Sequence, residues 1–131
     1  MDIRNADIPP LIEHGGTCLS YQMVPKESMR AETMGGYLEV IGEFELAGSD
    51  KLEPHRHDTD EFFYVLRGRA VMEVEGEQAE VGSGDLIHIP RNAVHSIWDA
   101  DGTEAFRALG FSISYMPEGG SYEPVGVEVE G

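Results

Sequence analysis

The sequence predicts a fold that is nearly all β. Short stretches alternate apolar and polar residues with the period of two that a half-buried strand requires. In residues 37–46, Leu38, Val40, Phe44 and Leu46 share one face, and Tyr37, Glu39, Glu43 and Glu45 share the other. Turn formers recur at short intervals: Gly48-Ser49-Asp50, Arg67-Gly68-Arg69, Glu75-Gly76-Glu77, Gly82-Ser83-Gly84-Asp85 and Ala100-Asp101-Gly102-Thr103. No repeat and no long helical period interrupts them. The 131 residues suit a single domain with one core.

Taken in order, residues 1–16 read as an arm. Pro9-Pro10 disfavours regular structure, Gly15-Gly16 is a break, and Leu11 and Ile12 are its anchors. His14 falls in this arm and is expected at the surface. Residues 17–24 form a strand and 25–36 a loop, with Met29 and Met34 near a cavity mouth. In the strand from Glu61 to Arg67, Glu61, Phe63 and Val65 share one face. Phe62, Tyr64 and Leu66 take the other, where a sheet edge, the arm or a second subunit must cover them. Ala70, Met72 and Val74 alternate before a hairpin at Gly76. Leu86 to Ile89 ends at Pro90, which cannot continue a ladder. Residues 95–98 and 104–115 close the fold, and the Gly-, Pro- and Glu-rich tail after 116 is expected to pack loosely.

Nine basic residues stand against 25 acidic ones, a formal net charge of −16. Such a surface repels phosphate backbones and anionic headgroups, which argues against nucleic-acid and membrane partners. A single cysteine, Cys18, forms no intrachain disulfide, and residues 1–10 lack an apolar run. A soluble, cytoplasmic protein is the expectation.

The chemistry concentrates in residues 55–68. His55 and His57 alternate with one other residue, so in a strand both imidazoles project into one space. Asp58, Thr59 and Asp60 are turn formers that would reverse the chain, letting the Glu61 carboxylate face back. Two imidazole nitrogens and an oxygen on one face suit a first-row transition metal. A further candidate, His95, lies beyond Gly84 and Pro90.

These two stretches resemble the two signature motifs of the cupin superfamily, in its small single-domain metal-binding form. The first motif fits from Gly48 to Gly68, with one residue more than usual between Gly48 and His55. In the second, Gly84, Pro90 and His95 fit, while Asn92 stands where the family usually has Gly and Asp99 where it has Asn. Asn tolerates the left-handed conformation that Gly would supply. The resemblance implies an antiparallel jelly-roll barrel. In that frame 1–34 are the arm and first strand, 35–116 the barrel core with motifs at 48–68 and 84–99, and 117–131 the tail. It also implies one divalent ion (Fe, Mn, Ni, Co, Cu or Zn) held by His55, His57, Glu61 and His95. Phe63, Val65, His88 and Arg107 are further candidates for the cavity lining, with Leu38 and Val40 as walls. Arg107 is the candidate for holding a substrate carboxylate.

Four protein ligands leave an open position, which separates a catalytic site from a closed one. The expected function is a metal-dependent dioxygenase or lyase/isomerase on a small organic molecule, with Glu61 both ligand and catalytic group. The alternative is a binding or sensing module without turnover. Cupin lyases that cleave dimethylsulfoniopropionate carry a Tyr base two residues after the metal Glu; here that residue is Phe63. A homodimer is expected, through the outward row Phe62, Tyr64 and Leu66.

Overall fold

The computed structural model describes residues 4, 6–24, 38–46, 51–100, 104–114 and 122–125. Among them eleven strands form two antiparallel sheets, numbered in chain order. The six-stranded sheet contains β1 (Leu11–Glu13), β2 (Cys18–Val24), β3 (Leu38–Leu46), β5 (Thr59–Arg67), β8 (Leu86–Ile89) and β10 (Arg107–Ser114), in the order β1-β2-β3-β10-β5-β8. The five-stranded sheet contains β4 (Lys51–His57), β6 (Arg69–Val74), β7 (Glu77–Gly82), β9 (His95–Asp99) and β11 (Tyr122–Pro124), in the order β11-β4-β9-β6-β7. They are the two halves of a jelly-roll barrel. The inward positions of both sheets meet in one core, in which Leu46, Val65, Ile89, Ile97 and Phe106 are all but completely buried.

The motif glycine at 68 has a steric reason. Its φ is +81°, and a Cβ there would lie 2.7 Å from Phe106 Cα. Only glycine combines that backbone with so close a crossing between strands. Asn92, in the place of the second motif's glycine, has φ 63°, the left-handed conformation anticipated for it.

Four expectations are corrected. The reversal after His57 rests on Asp58 alone: Thr59 and Asp60 already belong to β5, because the chain switches sheets here and needs no hairpin. The arm is partly a strand, with β1 pairing β2 from Leu11↔Ser20 to Glu13↔Cys18. The tail contributes β11, which pairs β4 and places Glu123 on Arg56 at 2.8 Å. The alternation of β3 also breaks. Its register with β10 runs Ser112↔Val40 and then Ile113↔Leu38, so Glu39 is the extra residue of a bulge. Glu39 therefore turns inward and is 2% exposed, where simple alternation puts it on the polar face. The expected loop with Met29 and Met34, and the turns at 48–50 and 101–103, lie outside the described residues.

Candidate metal centre

β4 delivers His55 and His57 to the barrel interior, and β9 delivers His95 beside them. His55 and His95 are cross-strand partners, with ring centroids 4.2 Å apart. The chain then crosses to the other sheet and brings in Glu61. Its Oε1 lies 3.3 Å from both His57 Nε2 and His95 Nε2. One ring nitrogen from each of the three histidines falls within 4.8 Å of the others. The loop leading to His95 is tied to the His57 end of β4. Asn92 N–H donates to His57 O at 2.8 Å, and Arg91 pairs with Asp58.

Backbone carbonyls fix the tautomers. His55 Nδ1 lies 2.7 Å from Glu53 O, and His95 Nδ1 lies 2.9 Å from Ala93 O. A carbonyl only accepts, so each Nδ1 carries the proton and each Nε2 keeps its lone pair for the cavity. His95 Nε2 and Glu61 Oε1 are buried without a hydrogen-bond partner: with the proton on Nδ1, both are acceptors facing each other at 3.3 Å. Two orphaned buried acceptors are costly unless something positive sits between them. The donor set, the tautomers and the orphaned atoms all fit a divalent metal ion.

The protonation states agree. Burial, reinforced by the neighbouring imidazoles, pushes His55 from its ordinary 6.5 down to about 3. It is a neutral, ligand-ready imidazole at any physiological pH. Burial alone would raise the Glu61 carboxyl, but the surrounding histidines outweigh it and hold Glu61 below its ordinary value. Cys18 also lines the cavity, yet burial pushes its thiol up to about 12, so it offers no thiolate.

A stability effect follows for the metal-free protein. The unfolded chain protonates His55 near pH 6.5, while the folded chain resists until about pH 3. Protons in that window favour unfolding. The stability is fully present above pH 6.5 and lost as pH falls toward 3. The loss should reach about 2 kcal/mol by pH ~5, at ~1.4 kcal/mol per unit. Urea titrations of chelator-treated protein measure this directly. A flat profile between neutrality and pH ~5 would mean that His55 takes up its proton in the folded state.

The cavity at the centre measures about 330 Å³. Phe63, Phe44 and Leu52 form apolar wall, and Phe44 meets Phe63 edge to face at 4.8 Å. Several expected lining residues lie elsewhere. Val65 is one pleat beyond Phe63 and is buried in the core, away from the cavity. His88 pairs in register with outward-facing Phe62, so it shares that face; its ring stacks on Phe62 and its Nε2 lies 2.7 Å from Asp60. Arg107 also faces outward. It lies over the Tyr21 ring and donates to Glu43 Oε1 at 2.7 Å, so it holds no substrate carboxylate. Val40 lines the cavity and Leu38 does not, a consequence of the bulge at Glu39.

Among the cavity residues that a reading by sequence does not place there, two stand beside the metal centre or are deeply buried. Glu39 is one, because a bulge has no periodic signal. His14 is the other: it is half-buried, lines the cavity, and its ring centroid is 5.1 Å from that of His55. Its φ of 52° begins a left-handed run through Gly15 and Gly16 that swings the ring inward. The Gly15-Gly16 pair was the available signal.

Comparison with known proteins follows from this geometry. The Cupin domain family (Cupin_2) matches residues 42–112. A dimethylsulfoniopropionate lyase, DddW, of Ruegeria pomeroyi is 34% identical over 74 residues, covering 56% of this chain and 47% of that protein. Quercetin 2,3-dioxygenase of Bacillus subtilis is 38% identical over 48 residues, 36% of this chain and 14% of that one. The chain thus spans less than half the length of these two relatives. Among solved structures, the polyketide cyclase RemF of Streptomyces resistomycificus superposes with a TM-score of 0.73 at 23% identity, covering 95% of this chain and 85% of that one.

Proposed function

We propose that this chain, which belongs to the cupin family, is a metal-dependent enzyme acting on a small organic molecule inside the barrel. One divalent transition metal is held by His55, His57, Glu61 and His95. The observation that carries this reading is the convergence of three imidazoles on Glu61, with two acceptors left unsatisfied in a buried site. When bound, such an ion supplies Lewis-acid polarisation, acidifies water and, if redox-active, engages O₂.

The chain's own groups decide what else is available. Glu61 has two oxygens, so Oε1 can serve as ligand while Oε2 accepts a proton from substrate. The wall of Phe44, Phe63 and Leu52 excludes water from the carbon skeleton. The lyase activity of the Ruegeria relative is not carried over. Phe63 stands where that chemistry would place its tyrosine base, and no tyrosine lines the cavity among the described residues. A dioxygenase or a lyase/isomerase of another kind remains, with a non-catalytic sensor as the second reading. Turnover of a small-molecule substrate, abolished by chelation and restored by one metal, supports the enzyme. Tight binding without product supports the sensor.

The same reading includes a cytoplasmic single-domain protein with no nucleic-acid or membrane partner. The charge of −16 and the lone buried Cys18 support it. No helix among the described residues is long and apolar enough to cross a membrane. The outer face of the six-stranded sheet exposes Tyr64, Leu66, Leu86 and Ile113. An apolar face of this kind, in a protein this charged, fits the seat of a homodimer. Light scattering should give twice the chain mass of 14.4 kDa, falling to one mass in Leu86→Glu. A wild-type monomer at micromolar concentration contradicts the dimer.

A further inference from the structure

The turn between β1 and β2 places a histidine where the backbone favours glycine. The β1–β2 ladder closes at Glu13↔Cys18, and His14 to Thr17 make the connection. His14, Gly15 and Gly16 run through φ of 52°, 67° and 99°. A Cβ at Gly15 or Gly16 would meet nothing within 4 Å, so these glycines serve their backbone angles and do not make room. The left-handed region costs a histidine free energy that a glycine does not lose. The turn is nevertheless held in place. Thr17 N–H and the Thr17 hydroxyl both donate to His14 O, at 3.3 and 2.8 Å.

What the turn achieves is the placement of a ring beside the metal centre. His14 lines the same cavity as His55, His57, Glu61 and His95, and its ring centroid lies 5.1 Å from that of His55. It stands outside the converging set, whose ring nitrogens come from His55, His57 and His95. Those three ride on β4 and β9 of the five-stranded sheet, whereas His14 reaches the cavity from the edge of the other sheet. An imidazole has two ring nitrogens, so the protein can hold one while the other faces the cavity as donor or acceptor. The ion would meet one atom of a bound molecule, which leaves the atoms beyond it to be held by the cavity wall.

We propose that His14 holds the far end of the molecule bound at this centre, by a hydrogen bond to an oxygen or nitrogen beyond the atom that meets the ion. The proposal rests on the metal-centre reading. It makes the site selective for small molecules with a second polar atom over those with only one.

Azide and fluoride, added to protein loaded with one equivalent of Cu(II), test it. Each meets the ion through one atom; azide then projects two further nitrogens and fluoride projects nothing. Azide affinity is read from its charge-transfer absorbance, and fluoride affinity from competition with azide. His14→Gly removes the ring and suits the left-handed backbone, so the fold should survive. Azide should bind this variant roughly tenfold more weakly, the worth of one hydrogen bond to a charged group. Fluoride affinity, copper content and the ligand-field bands of the azide-free protein should match wild type. His14→Asn also tolerates that backbone and has a shorter side chain. It should weaken azide in the same direction, and it decides alone if His14→Gly does not fold.

Unchanged azide affinity, or an equal loss for azide and fluoride, overturns the proposal. So does copper-loaded wild type that binds no azide at millimolar concentration. Lost copper or shifted ligand-field bands in the variant overturn it as well, because His14 would then be acting on the ion's own ligands. All of these results leave the metal-centre reading standing. Wild-type protein that takes up no copper ends that reading and this proposal together.

Discussion

His57→Ala should lower metal affinity by well over about a hundredfold, more than the ~10–100-fold that loss of an outer supporting group costs. His57 is the informative ligand because its side chain is 23% exposed, while that of His95 is 3% exposed. Removing His55 or His95 would also strand the carbonyl of Glu53 or Ala93 and leave a buried void, mixing metal loss with unfolding. At position 57 the fold should survive while the ion becomes labile. Competition against a chromophoric chelator reads the change, with circular dichroism as the control on folding. Wild-type affinity in His57→Ala would remove that histidine from the ligand set.

Glu61→Gln should separate holding the ion from using it. Glutamine keeps the length and one neutral oxygen, and loses the negative charge and the base. Loss of a positioned general base costs ~10²–10⁴ in rate. Metal loading should fall far less, since three histidines remain. The comparison is turnover per bound ion, once a substrate is found. A proportional fall in metal and activity would reduce Glu61 to a plain ligand. Undiminished activity in metal-free wild-type protein would remove the metal from catalysis altogether.

Much of this fold was legible because a strand's period of two survives in β5, β6 and β8. In β6 the inward face, Ala70, Met72 and Val74, was also the apolar one, whereas β5 and β8 carry apolar residues on both faces. The spacing of His55, His57, Glu61 and His95 was equally readable, and the structure brings all four side chains to one cavity. What escaped has physical reasons. A bulge inserts one residue without changing composition, so Glu39 looked like an outward polar residue. His14 depends on a left-handed turn in a segment too short to show periodicity. His88 and Arg107 were ambiguous because facing depends on register. The pairings Phe62↔His88 and Arg107↔Glu45 are long-range contacts that no local pattern states. The β11 strand pairs with β4 from far along the chain and is too short to alternate visibly.

The central claim, that this cavity is built around a divalent metal, is tested most directly by elemental analysis. The protein would be expressed and purified without added metal and without chelator, on wild type and His57→Ala side by side. We expect close to one first-row transition metal ion per wild-type chain and a small fraction of that in the variant. Wild-type protein with only trace metal, still binding none when Fe, Mn, Ni, Co, Cu or Zn is supplied, would contradict the account.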